Sequence, residues 1–163
     1  VVDPGRVTGE MVAALCAPGA RTWVAVHANH PREFAPEARR AIARLAESHI
    51  TLVSQSVLLK GVNDDVETLA ALMRGFVENG IKPYYLHHPD LAPGTSHFRP
   101  SIAEGMALMA DFRARLSGLA LPTYMLDIPG GFGKVPLNGD HVEKTAGGWR
   151  VRDMGGVWHD YPG

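Results

Sequence analysis

Residues that can do chemistry collect at four places in this sequence: His27, Asn29 and His30; Ser54, Gln55 and Ser56; His87, His88 and Asp90; and Asp127 with Lys134. Lys134 closes the run Pro129-Gly130-Gly131-Phe132-Gly133-Lys134, whose glycines let backbone approach a ligand and offer it amide hydrogens. A nucleotide-binding P-loop is excluded. That motif needs glycine five positions before Gly133 and a hydroxyl residue after the lysine, where Ile128 and Val135 stand. Two readings of the run remain, a lysine held against a phosphorylated cofactor in a site that lowers its pKa, and an ordinary glycine turn with an exposed lysine. Asp90 and Asp127 are candidates for a cation site, since two carboxylates on one ammonium offset a desolvation that a single pair does not. Asp90, between Pro89 and Leu91-Ala92-Pro93-Gly94, equally suits a turn. The set His27, His30, His87 and His88, with a carboxylate, also admits a metal-dependent barrel hydrolase that activates water on zinc. His49 and His97 read as structural or surface residues.

Each cluster lies on or just after a short β-branched or aromatic run: Thr22 to Val26, Thr51 to Leu58, Pro83 to Leu86 and Pro122 to Ile128. The first three lie about 30 residues apart, the spacing of strand-helix-strand units. Between them, Pro36 to Ser48 carries Ala38, Ile42 and Leu45 inward and Arg39, Arg40 and Arg44 outward to solvent. Asp64 to Asn79 repeats Val66, Leu69, Met73 and Phe76 on one face, with Asp64 and Glu67 as a capping pair and Gly80 as the stop. Ser101 to Leu116 opens on the capping box Ser-Ile-Ala-Glu, and its methionines fill a core. The tail from Glu143 to Tyr161 predicts a β-hairpin around Asp153-Met154-Gly155-Gly156. The expected fold is α/β, a partial TIM-like barrel of about four parallel strands with flanking helices plus that hairpin. Residues 1–137 form the barrel part and 138–163 the tail, in one domain. Polar residues at the C-terminal ends of parallel strands converge on one mouth in such a fold.

Composition narrows the partners. At 163 residues and 45% hydrophobic, the chain can bury one core, and a net charge of -1 gives no general drive toward nucleic acid or anionic membrane. Small molecules are the expected partners. The lone Cys16 excludes an internal disulfide, cannot by itself ligate zinc or an iron-sulfur cluster, and suits a reducing cytoplasm. No apolar run approaches the roughly 20 residues that cross a bilayer. The start at Val1-Val2-Asp3-Pro4, without methionine, reads as cut from a longer protein.

Five ordered motifs carry a resemblance. They are His27-Ala28-Asn29-His30-Pro31; Ser54 to Asp64; Lys82-Pro83-Tyr84-Tyr85-Leu86; Asp90-Leu91 with His97-Phe98-Arg99; and Asp127 to Pro136. In that order they resemble the C-terminal half of lysine 2,3-aminomutases, which are radical S-adenosylmethionine isomerases. The resemblance implies that Lys134 anchors pyridoxal 5'-phosphate and exchanges with the substrate amine, and that Asp90 and Asp127 bind the side-chain ammonium of L-lysine. It implies that His27, Asn29 and Gln55 contact S-adenosylmethionine or line the gap to the pyridoxal ring. It implies conversion of L-lysine to β-lysine by amino migration, free or for modifying a translation factor, and a homo-oligomer when full length. Two carboxylates favour lysine over glutamate, whose acid they would repel. His87 stands where better-known members carry tyrosine. The three cysteines for the [4Fe-4S] cluster, and the arginines for substrate carboxylate and cofactor phosphate, are expected upstream of this chain. The polypeptide alone is therefore expected to be catalytically silent, and a non-catalytic assembly module is the remaining alternative.

Overall fold

A computed structural model describes residues 3–19 and 21–162, so the outermost residues of the 1–137 and 138–163 parts lie outside the described residues. Strands β1 (Trp23–His27), β2 (Thr51–Val57), β3 (Lys82–His87) and β4 (Thr123–Asp127) pair parallel in that order. Their β-branched and aromatic residues favour the pleat. Three helices separate them: α2 (Pro36–Glu47), α3 (Val66–Glu78) and α4 (Ile102–Arg113), while α1 (Gly9–Leu15) precedes β1. The register pairs His27 with Gln55 and His87 with both Val57 and Met125.

Alternation divides the sheet into two unequal faces. One face, with Val26, Leu52, Ser54, Ser56, Leu86, Tyr124 and Leu126, is buried with the apolar sides of the helices. Phe76 of α3 meets Phe34 edge to face at 5.1 Å between ring centres, and both are buried. Gly105 of α4 lies so close to the sheet that a Cβ there would fall 2.7 Å from Cζ of Tyr124. On the other face Trp23, Ala25, His27, Thr51 and Thr123 are exposed. Parallel sheets are ordinarily covered on both sides, so this one is half dressed.

The parallel strands and α2 to α4 stand where the hydrophobic periodicity puts them, α1 was not foreseen, and three readings are corrected. The cap of α3 is Asp65, whose carboxylate accepts from Thr68 N at 2.8 Å, while Asp64 accepts from Gly61 N in the preceding turn. The tail is a three-stranded antiparallel sheet, β6 (Val142–Thr145), β7 (Gly148–Arg152) and β8 (Trp158–Tyr161), not a hairpin. Its extra strand was hidden because Val142-Glu143-Lys144-Thr145 is mostly polar and exposed. Lys134 opens a further strand, β5 (Lys134–Pro136), antiparallel to β4. The reversal places Gly130, Gly131 and Gly133 at φ of 93°, 83° and 91°, and Ile128 N donates to Gly133 O at 2.9 Å. Those positive angles are what the glycines serve, because a side chain there would strain the turn.

Candidate active site

Residues two apart share a strand face, so the register lines His27, Gln55, His87 and Asp127 along the open side of the sheet, at the C-terminal ends of β1 to β4. The β4–β5 reversal then sets Lys134 directly opposite Asp127. A cavity of about 280 Å³ results, lined by His27, Gln55, Val57, His87, His88, Asp90, Asp127 and Lys134. Five of the six site residues expected from the sequence therefore meet there. A larger hollow of about 510 Å³ beside α2 is lined by solvated residues such as Arg40, which pairs with Glu37.

A chain of polar contacts runs across the cavity. Gln55 Nε2 lies 2.9 Å from His87 Nε2, His87 Nδ1 lies 3.1 Å from Asp127 Oδ2, and Lys134 Nζ donates to Asp127 Oδ1. His87 is 7% exposed, whereas Asp127 and Lys134 keep a third to a half of their side chains open to solvent. Burial pushes the His87 pKa below the ordinary value, Asp127 opposes it, and the nearby Lys134 charge reinforces it. Asp90 is exposed at the rim, and its carbonyl accepts from Arg99 Nη2 at 2.8 Å. The arrangement offers one amine, two carboxylates at its edge and two buried imidazoles, a set suited to binding ammonium groups.

Asn29 is placed differently. Its Oδ1 accepts from Val57 N at 2.8 Å, and its Nδ2 stands 3.2 Å from His27 Nε2. It reaches the cavity only through His27 and mainly ties the loop after β1 to β2. Asn63, fully buried, completes that knot by donating to Asn29 O and Val57 O and accepting from Leu59 N. Sequence reading missed this role, whose one signal was an Asn within the turn-rich Lys60-Gly61-Val62-Asn63 run. His88, read from the sequence as a candidate metal ligand, is instead 1% exposed, and its Nδ1 shares a 2.8 Å hydrogen bond with Tyr124 Oη. Desolvation, with Arg99 nearby, lowers the His88 pKa to about 4.

The zinc-hydrolase set does not assemble. His30 caps a short turn by accepting from Arg32 N, His88 is bound to Tyr124, and among the described residues no three His, Cys, Asp or Glu are grouped to hold a metal ion. Among the described residues, too, no helix is long and apolar enough to cross a membrane.

No family model matches the chain. It is 41% identical over 147 residues to a provisionally named L-lysine 2,3-aminomutase of Aquifex aeolicus, covering 90% of this chain and 40% of that one. It is 39% identical over 142 residues to the L-lysine 2,3-aminomutase of Acetoanaerobium sticklandii, covering 87% and 34%. The chain thus spans less than half the length of these relatives. A radical SAM methyltransferase from Sphaerobacter thermophilus shares the fold, with a TM-score of 0.51 and 20% identity over 72% of this chain and 37% of that one.

Proposed function

Since this chain belongs to the lysine 2,3-aminomutase family, as a partial region of it, we propose that it supplies the amine-exchange half of a radical S-adenosylmethionine isomerase converting L-lysine to β-lysine. The observation that carries the reading is the Lys134–Asp127 pair, in one cavity with Asp90. The open sheet face fits the inside of a (β/α) barrel whose other strands would come from the rest of a longer polypeptide.

The donor set fits pyridoxal phosphate at its carbonyl end. Lys134 presents a primary amine at a cavity rim, and Asp127 can hold the proton-bearing form of that amine until the cofactor attaches. When bound, pyridoxal phosphate supplies electron delocalisation, and S-adenosylmethionine with a [4Fe-4S] cluster supplies hydrogen abstraction. Lys134 would hold the cofactor and exchange with the α-amine of lysine, while Asp127 and Asp90 would orient the far ammonium. That orientation decides which hydrogen faces the abstracting group. His27 and Gln55 line the side of the cavity toward β1 and would face S-adenosylmethionine, with Asn29 holding His27 in place. One cysteine cannot ligate the cluster, so its ligands belong elsewhere. We place the full-length protein in the cytoplasm as a homo-oligomer, consistent with the free thiol of Cys16.

The test is chemical labelling of the purified chain with pyridoxal phosphate, fixed by borohydride and mapped by mass spectrometry. The pyridoxyl group is expected on Lys134, with Lys60, Lys82 and Lys144 little labelled, and L-lysine is expected to compete. Labelling spread evenly over the four lysines, or lost only on denaturation and unaffected by Lys134→Ala, overturns the assignment and favours an assembly module.

A further inference from the structure

The sequence resemblance gives no role to the residue at the centre of the cavity. We propose that His87 is the positioning residue of this site, donating from Nδ1 to Asp127 and accepting at Nε2 from Gln55, so that Asp127 keeps its other oxygen for an ammonium. This rests on the reading of Lys134 as the pyridoxal anchor.

The tautomer of His87 follows from which atoms around it can donate. An ionised carboxylate only accepts, so the 3.1 Å contact to Asp127 Oδ2 puts the proton on His87 Nδ1. The amide nitrogen of Gln55 only donates, so the 2.9 Å contact leaves His87 Nε2 bare. Together they describe one neutral tautomer. An imidazolium would require the Gln55 amide to turn and present its oxygen to Nε2. The surroundings agree: the ring is 7% exposed and abuts Tyr85 edge to face at 5.6 Å, and burial disfavours its charge. Asp127 and Asp90 pull the other way, with Lys134 on the side of neutrality.

The consequence lies at Asp127. Bridged between a neutral N–H and Lys134, its carboxylate cannot swing to engage Lys134 with both oxygens. Oδ1 is therefore the single seat for a cation. Lys134 holds it in the cofactor-free site, and the side-chain ammonium of an incoming amino acid would take it in the loaded one. Without the His87 donor, the carboxylate becomes more basic and free to chelate Lys134, which holds that amine in its unreactive protonated form to higher pH.

Two measurements test this on the full 163-residue chain. Nitrogen-15 NMR of the histidine rings, assigned with a His87→Phe control, is expected to report a neutral His87 protonated at Nδ1 at pH 7. An Nε2–H tautomer or an imidazolium there overturns the proposal, and this readout needs no cofactor. The second follows the pH at which pyridoxal phosphate becomes half attached to Lys134. His87→Phe is expected to raise that pH by about one unit, a tenfold loss of attachment at fixed pH. His87→Asn, whose amide nitrogen stands in for Nδ1, restores it; His87→Gln, which mimics only Nε2, does not. Identical profiles for wild type and His87→Phe, or no rescue by Asn, sink the proposal. Failure of the wild type to attach pyridoxal at Lys134 removes the functional reading instead, and the tautomer result then judges His87 separately.

Discussion

The two faces of the parallel sheet share the same strands and do different work. On the helix side, Leu52, Leu86 and Leu126 lie among Ile42, Leu69, Met73, Phe76 and Phe112, all at most 4% exposed. On the other side, Trp23 is 64% exposed, and the residues toward the strand ends are His27, Gln55, His87 and Asp127. Stability is therefore concentrated on one face and chemistry on the other. A site assembled from strand ends is rigid because the covered face fixes the strands, while the residues it displays can be polar because they line a cavity and not the apolar core.

The largest effect expected from this division is on the covered face. Phe76→Ala removes a buried ring that touches Phe34 and should cost about 3–5 kcal/mol in denaturant unfolding. A loss below about 1 kcal/mol would mean that the helices do not hold the sheet, and the comparison would fail at its base.

The second effect is electrostatic and belongs to the boundary between the faces. His88 is 1% exposed, with a pKa lowered from 6.5 to about 4 by burial and by Arg99. In the unfolded chain it binds a proton at pH 6.5, and in the folded chain only near 4. Stability is thus fully present above pH 6.5 and is lost as pH falls toward 4, by about 3 kcal/mol at roughly 1.4 kcal/mol per tenfold change. His87, also held below its ordinary value, adds a contribution of the same sign. Tyr124 and Tyr161 have raised values and stay neutral throughout that window. Denaturant midpoints measured from pH 7 to 4 should show this slope, and His88→Gln should flatten most of it. An equal slope in the variant would assign the acid sensitivity to other groups.

The covered face was legible in the sequence because apolar periodicity reports burial directly. Leu69, Met73 and Phe76 on α3, and Met109 and Phe112 on α4, are buried as their spacing required. Ser101 and Glu104 form the expected reciprocal cap, with Glu104 N donating to Ser101 Oγ and Ser101 N to Glu104 Oε2. The open face was legible only as positions after strands. Meeting in one cavity depends on register and on the β4–β5 reversal, and neither leaves a periodic trace. Lys134 illustrates the limit, since its three glycines admitted either a ligand contact or a turn, and only the structure shows the turn that sets the lysine opposite Asp127. The contacts of His87 and Asn63 escaped for the same reason: their partners lie 40 and 34 residues away, at Asp127 and Asn29.

The smallest expected effect examines the open face itself. Trp23 stands on edge strand β1 with its ring largely in water, so Trp23→Thr, which keeps a strand-favouring residue, should change stability by no more than about 0.5 kcal/mol. An exposed tryptophan beside Ala25 on an unpaired strand edge is also an adhesive surface, so the same substitution should reduce self-association in sedimentation velocity. The two readouts separate two meanings of the face. Near-neutral stability with less association means that this side awaits covering by other chain. A cost above about 1 kcal/mol that grows with protein concentration means that a second copy already covers it. Chemistry and stability would then share that face, and the cavity beside Lys134 would have to be redrawn with the partner's residues in its wall.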